Sequence, residues 1–199
     1  MARESRISVN RMVGTAILIA IVVVLQIIGS FIRFGAVSVT IVLVPIVVGA
    51  AVYGRGAGAV LGGAFGVVVL INCINGVDIG GNMLWVVNPA LTAVLCLIKG
   101  IAAGYAAGFV FSRISKKNIY AGAVCAAFAC PVVNTGIFIA AMFLFFRETL
   151  SVWASLNGFP VVYYAFLIMA GLNFLFELGV NIVLCPIIVR IINAAKTRA

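Results

Sequence analysis

Long apolar stretches alternate with short polar connections along the whole chain. Most of these stretches approach or exceed the ~20 residues with which a helix crosses the hydrocarbon core of a bilayer. Because the bilayer core offers no water to free backbone groups, such stretches are predicted to be helices. They lie near residues 12–31, 37–53, 57–74, 83–111, 119–146 and 160–192. The pattern therefore predicts an all-α membrane protein in which residues 1–199 form a single compact bundle of six transmembrane helices.

Composition supports this prediction. Hydrophobic residues make up 65% of the 199 positions and charged residues only 9%, whereas soluble domains carry roughly a quarter of charged residues. So few charges could not cover the surface of a soluble domain of this size. A basic start precedes the first apolar stretch, which runs too far for a signal peptide. We therefore expect a retained first helix.

The basic residues predict the orientation of the bundle. If six helices alternate in direction, one side of the membrane carries only Arg33 and Arg147. The other side carries Arg3, Arg6, Arg11, Arg55, Arg113, Lys116, Lys117, Arg190, Lys196 and Arg198. The positive-inside rule then places both termini in the cytoplasm, as in a multi-pass protein of a bacterial plasma membrane. The net charge of +9 thus reports topology and does not indicate a nucleic-acid partner.

A polar interruption between residues 72 and 89 faces outward in this orientation, as does the connection 147–160. Amide side chains supply hydrogen-bond donors and acceptors without burying charge, and solute pockets combine apolar walls with a few such groups. The predicted solute contacts are Asn88, Asn134, Asn173, Trp85 and Trp153, beneath a loop that carries Asn72, Asn75 and Asn82. Alternatively, the asparagines only tie helices together and the tryptophans only mark the membrane interface.

Asn88 has a second predicted role. It directly precedes Pro89, and proline favours the first turn of a helix because it has no backbone N–H to leave unsatisfied. Asn88 is therefore predicted to cap the fourth helix, with its side chain held at the mouth of the pocket.

Two charges fall inside apolar segments, where an unpaired charge is costly. Lys99 lies in the fourth segment and Glu177 in the sixth, at similar distances from the outer end. The favoured interpretation is a structural ion pair between these helices. The alternative is that Glu177, which shares a helix face with Asn173 and Asn181, contacts the solute directly.

Small residues recur every four positions, which places them on one helix face and lets helix backbones approach closely in lipid. The third segment carries Gly58, Gly62 and Gly66, the fourth carries Gly100, Gly104 and Gly108, and the first carries Ala16 and Ala20. These faces either pack inside the protein or receive helices of another subunit. The candidates for a partner surface are Ala16, Ala20, Gly58 and Gly62.

The residues needed for catalysis are scarce. The chain has no histidine and only four acidic residues, which argues against acid–base and metal chemistry. It also lacks the P-loop pattern of an ATPase, and its five cysteines resemble small buried hydrophobic residues. We therefore expect no enzyme activity, catalytic residue, metal or cofactor.

The first three segments resemble those of a known family, the substrate-binding S components of energy-coupling factor (ECF) vitamin transporters. The first segment contains an A-x-x-x-A element at Ala16 and Ala20. The next two follow a pattern of P-x-x-x-G, YG and G-x-x-x-G, at Pro45, Gly49, Tyr53, Gly54, Gly58 and Gly62. The resemblance covers essentially the whole chain. It implies a transmembrane T subunit, two cytoplasmic ATPase subunits, and an outward pocket formed by helices four to six and the outer loops.

The family resemblance implies a vitamin or vitamin precursor as the solute. Amide-rich candidates, with Arg33 and Arg147 as the outer cations, suit a molecule with amide and hydroxyl groups and one carboxylate. Pantothenate is the first expectation, and riboflavin, which Trp85 and Trp153 would stack against, and lipoate are alternatives. The competing function is a membrane scaffold or assembly subunit without a solute site, which would explain the glycines but not the outer asparagines.

Overall fold

The computed structural model describes residues 2–30, 33–34, 37–38, 42–169 and 171–197. In chain order, its elements are α1 (Ala2–Gly29), β1 (Arg33–Phe34), β2 (Val37–Ser38), α2 (Leu43–Tyr53), α3 (Arg55–Ile74), α4 (Ile79–Val87), α5 (Pro89–Ile114), α6 (Ile119–Leu144), α7 (Arg147–Leu156), α8 (Val161–Tyr163), a π-helix (Tyr164–Met169) and α9 (Gly171–Thr197). The strands β1 and β2 form a two-residue antiparallel ladder.

Five helical segments are long and apolar enough to cross a membrane. They are Arg11–Gly29, Arg55–Ile74, Pro89–Ile114, Ile119–Leu144 and Val161–Ala194, with the shorter apolar helix Leu43–Tyr53 beside them. This arrangement confirms the predicted all-α membrane bundle of about six helices. We call the end at which α3 finishes and α5 begins the asparagine end of the bundle.

The fourth predicted helix, residues 83–111, is wrong as a single element, because the chain breaks at Asn88. This residue has an extended backbone, with φ of −153° and ψ of 96°, and ends α4 as well as beginning α5. Pro89 explains the break, since it has no N–H to donate and disfavours a helical conformation in the residue before it. The segment 160–192 is also interrupted, by the π-helix.

Both connections predicted as outer loops contain a helix. The Asp78 carboxylate accepts a hydrogen bond from the backbone N–H of Gly81 at 3.1 Å and caps α4, as expected of aspartate at a helix start. In α7, Leu150 and Ala154 are buried on one face, four residues apart. Both short helices adjoin the asparagine end of the bundle, in segments that the sequence analysis had treated largely as connections.

The two glycine ladders pack on each other. A Cβ atom placed on Gly62 would lie 2.6 Å from the carbonyl carbon of Gly100, and one placed on Gly104 would lie 2.6 Å from that of Gly58. The backbones of α3 and α5 are therefore in direct contact, which small residues permit in lipid. This corrects the expectation that Gly58 and Gly62 receive a partner subunit, because α5 already covers both.

The buried apolar side chains form two clusters. The main cluster draws on α1, α2, α3, α5, α6 and α9, and its largest members include Leu43, Ile46, Leu61, Phe65 and Ile188. The second cluster joins α4, α5, α6, α7 and the π-helix around Leu84, Leu95, Met142, Leu150 and Met169. The short helices α4 and α7, which adjoin the asparagine end, belong to the second cluster. A site between the two clusters would therefore lie inside the bundle.

Candidate solute-binding site

Asn72 is part of a hydrogen-bonded connection between α3 and α1. Its amide donates to the Ser30 hydroxyl at 2.6 Å, and that hydroxyl donates to the Gln26 carbonyl at 2.7 Å. Asn72 is buried and belongs to α3, so its predicted place in a loop was wrong. Its described contacts are those of a residue that ties two helices together.

Two further asparagines of the predicted loop lie in different settings. Asn82 belongs to α4, and its amide donates to the carbonyl of Cys73 at 2.8 Å, which joins α4 to the end of α3. Asn75 directly follows α3 and is exposed. The predicted loop is therefore a turn around Asn75 followed by a helix that carries Asn82.

Asn88 caps α5, as the sequence predicted. Its side-chain oxygen accepts a hydrogen bond from the backbone N–H of Leu91 at 3.0 Å, and its carbonyl accepts one from the Thr92 hydroxyl at 2.9 Å. The side chain is half-buried. The described hydrogen bond of this side chain uses its amide oxygen, and contact of Asn88 with a solute stays a prediction.

The two tryptophans belong to different clusters. Trp85, on α4, is half-buried and packs against the main cluster. Trp153, on α7, is half-buried and packs against the second cluster. No ring contact between Trp85 and Trp153 is present among the described residues, and stacking of a solute on either ring stays a prediction.

Asn134 is the predicted contact with the most unusual surroundings. It lies on α6, is only 5% exposed, and its amide oxygen has no hydrogen-bond partner within the described part of the chain. Asn181 on α9, 1% exposed, likewise has an amide oxygen without a described partner. Since buried polar atoms are nearly always hydrogen-bonded, these oxygens mark the places where water or a solute is expected. The side chain of Asn173 lies outside the described residues.

Lys99 contacts aromatic rings. Its ammonium nitrogen lies 5.3 Å from the centroid of the Phe138 ring and 6.0 Å from that of the Phe65 ring. The predicted salt bridge with Glu177 is not among the contacts of these two described residues.

Glu177 is 1% exposed and lies within electrostatic range of Cys130 on α6. Cys130 is about two helical turns, or ~12 Å, farther from the asparagine end than Phe138, which Lys99 contacts. The described contacts of Lys99 and of Glu177 thus involve different residues of α6.

The sequence analysis missed Gln26, Phe65 and Phe138. Gln26 is a buried polar residue of α1 whose side-chain oxygen has no partner among the described residues. A single glutamine inside an apolar segment indicates a buried polar group, so the sequence alone could have identified it. Phe138 lies four residues after Asn134 and so shares its helix face. The position of Phe65 beside Lys99 depends on how α3 and α5 pack, which no local pattern reveals.

A groove of about 480 Å³ runs between α1 and α3. Its lining is formed by Arg11, Met12, Thr15, Ala16 and Ile19 of α1 and by Gly56, Ala57 and Val60 of α3. Ala16 and Ala20 are both exposed, so the predicted small-residue face of α1 lies on the surface of the bundle. This surface differs from the glycine ladders, which are covered by the protein's own helices.

Comparison with known families gives one match. The model described as "ECF transporter, substrate-specific component" matches residues 10–189. Among curated proteins, the comparison finds no match to this chain. The family is one of membrane transporter subunits and not of enzymes, in agreement with the apolar spans described above. Because the match covers nearly the whole of the 199 residues, the chain belongs to the family of substrate-specific components of ECF transporters.

Proposed function

We propose that this protein is the membrane-embedded S subunit of an ECF-type ABC transporter in a bacterial plasma membrane. It captures a small water-soluble vitamin or vitamin precursor from outside the cell for ATP-driven uptake. The observation that carries the proposal is the family match over residues 10–189. The buried amide oxygens of Asn134 and Asn181 support it, because a solute that donates hydrogen bonds would satisfy them.

Pantothenate is the proposed solute, with riboflavin and lipoate as the alternatives. It has an amide and hydroxyl groups that suit the asparagines, and one carboxylate that suits a cation. An aromatic vitamin such as riboflavin would instead stack against Trp85 or Trp153, which pack against different clusters.

The proposed partners are a transmembrane T subunit and two cytoplasmic ATPase subunits. The chain has no P-loop sequence, so ATP hydrolysis would have to come from another protein. The groove between α1 and α3, with Ala16 in its wall, is the proposed surface for the T subunit, because small residues let helices approach closely.

Ligand-dependent stability tests the function. The purified chain should unfold at a higher temperature in the presence of its vitamin, because saturation at 100 times Kd stabilises the native state by about 2.7 kcal/mol. Thermal unfolding would be followed with pantothenate, riboflavin and lipoate in turn. A scaffold subunit would respond to none of them.

In vesicles that contain only this chain, the solute should bind without becoming concentrated, and concentrative uptake there would contradict the need for ATPase partners.

Alanine substitution at Asn134 is expected to weaken solute binding ten- to a hundredfold. Removal of a buried amide leaves its ligand partner unpaired, which costs ~1–3 kcal/mol. Binding of the purified Asn134→Ala and Asn88→Ala variants would be titrated alongside their thermal unfolding. Unchanged affinity in well-folded forms of both variants would end this site assignment.

Asn118 provides the matched control for Asn88. It caps α6 by accepting hydrogen bonds from the backbone N–H groups of Tyr120 and Ala121 at 2.8 and 3.1 Å, at the opposite end of the bundle from Asn88. Asn118→Ala should lower stability by about 1 kcal/mol through the lost cap and leave affinity unchanged. Asn88→Ala should lower both.

A further inference from the structure

Lys99 lies where the two hydrophobic clusters meet. It belongs to α5, one of the membrane-spanning helices. One of the rings next to its ammonium group is Phe65, a fully buried member of the main cluster. The other is Phe138, which packs against the second cluster. Lys99 is half-buried, and its ammonium group lies at the junction between two apolar clusters.

A charge in this position is costly and normally indicates function. Ionisable residues within membrane-spanning helices are rare, face the interior or a cavity, and mark solute or ion pathways. Aromatic rings attract a cation but carry no negative charge that would neutralise it. The contacts of Lys99 with Phe65 and Phe138 thus hold the ammonium in place and leave its charge available to an anion.

No carboxylate forms an ion pair with Lys99 within the described residues. The acidic residues of the sequence are Glu4, Asp78, Glu148 and Glu177. Glu4 lies in the first turn of α1, at the end opposite to Ser30, and Glu148 is exposed on α7. Asp78 lies, like Lys99, within electrostatic range of Cys73 and Cys96, but its described hydrogen bond is to the backbone N–H of Gly81, which caps α4. Glu177 lies within electrostatic range of Cys130, which is about two turns of α6 from Phe138.

We propose that the Lys99 ammonium binds a carboxylate of the transported solute, an inference that rests on the proposed solute-capturing function. Asn134 lies one turn from Phe138 on the same face of α6, about 6 Å farther from the asparagine end. Its buried amide oxygen, which has no partner among the described residues, accepts a hydrogen bond from a hydroxyl or amide of the same molecule.

The geometry defines a class of solute. It is a small acid that also carries a hydrogen-bond donor. When the molecule is bound, its carboxylate lies beside Lys99 and its donor beside Asn134, about 6 Å farther from the asparagine end. Pantothenate has both groups, lipoate has the carboxylate alone, and riboflavin has no carboxylate. A carboxylate that enters from the asparagine end reaches the ammonium first, so the same contact orients the molecule in the pocket.

Binding of a solute and its neutral analogue tests the proposal. The purified full-length protein would be titrated with pantothenate and with panthenol, in which an alcohol replaces the carboxylate, and with lipoate and lipoamide. The wild type should bind the acid about 30-fold or more tightly than the neutral form, since loss of a buried charge partner has effects of this size. Lys99→Met should lose this preference, whereas Lys99→Arg should keep most of it.

A double comparison separates a direct contact from a structural effect. Lys99→Met should weaken binding of the acid and leave binding of the neutral analogue nearly unchanged, whereas a misfolded pocket would weaken both equally. Lys116→Met, at an exposed position, is the control for the loss of one positive charge and should behave as the wild type.

Four outcomes would overturn the proposal. Acid binding that Lys99→Met leaves unchanged, or binding of riboflavin alone, would exclude a carboxylate contact at Lys99 while the vitamin-capturing function stands. Equal loss of acid and neutral binding in Lys99→Met would make Lys99 a structural residue. Failure of the wild type to bind any of the vitamins would overturn the proposed vitamin capture together with this inference.

Discussion

Replacement of Ala16 by tryptophan is expected to abolish uptake and to leave solute affinity unchanged. Ala16 is exposed and lines the groove of about 480 Å³ between α1 and α3. A large side chain there would fill the groove and keep a partner helix from a close approach. Uptake would be measured in cells that also produce the T subunit and the ATPases, and affinity on the purified chain.

The neighbouring residue provides the control. Ile17 is 57% exposed on α1 but does not belong to the lining of the groove. Ile17→Trp should therefore retain uptake, whereas Ala20→Trp, on the same helix face as Ala16, should behave like Ala16→Trp. Parallel losses of affinity and uptake in Ala16→Trp would mean that this face serves internal packing.

Size, and not hydrophobicity, distinguishes this surface from the rest of α1. Exposed apolar side chains such as Ile17, Ile21 and Val24 surround much of the helix, as expected of a segment in contact with lipid. The groove differs because each of its walls carries a very small residue, Ala16 on α1 and Gly56 on α3. A helix of another protein is therefore favoured over lipid as the occupant, since lipid would accept any apolar side chain.

Local signals in the sequence were sufficient to predict the membrane-spanning helices and one helix cap. Runs of apolar residues predicted the spans, and the pairing of Asn88 with Pro89 predicted a helix cap that the structure confirms. Both depend on residues close together in the chain. The same proline also explains the break between α4 and α5, which the hydrophobic pattern alone had joined.

Contacts between distant helices were harder to predict. The four-residue spacing of glycines indicated close packing, but only the structure shows that Gly58 and Gly62 face α5. Lys99 and Glu177 lie at similar distances along their own helices, yet the described contact of Lys99 is with Phe138 of α6, whereas Glu177 lies within electrostatic range of Cys130. Asn72 and Asn82 use their amides to join helix ends, a role that polarity alone cannot distinguish from solute binding.

Substitution of Gly62 by alanine is expected to destabilise the bundle strongly, by at least about 1–3 kcal/mol. The added methyl group would lie 2.6 Å from the carbonyl carbon and 3.2 Å from the next backbone nitrogen of α5, at Gly100 and Ile101. Backbone atoms of a packed helix cannot rotate aside as a side chain would. Thermal unfolding of the purified protein would show the loss, and Gly62→Leu should not yield a folded bundle.

Gly63 is the matched control, because it lies on the same helix and in the next position. A Cβ atom there would meet only the flexible side chain of Ile101, at 3.4 Å. Gly63→Ala should therefore be neutral or stabilising by up to about 1 kcal/mol, since alanine favours helix over glycine. Stability of Gly62→Ala equal to that of Gly63→Ala would show that α3 and α5 are not in backbone contact. If instead only Gly62→Ala is destabilised, the close approach to α5 is the cause, because both variants add the same methyl group to the same helix.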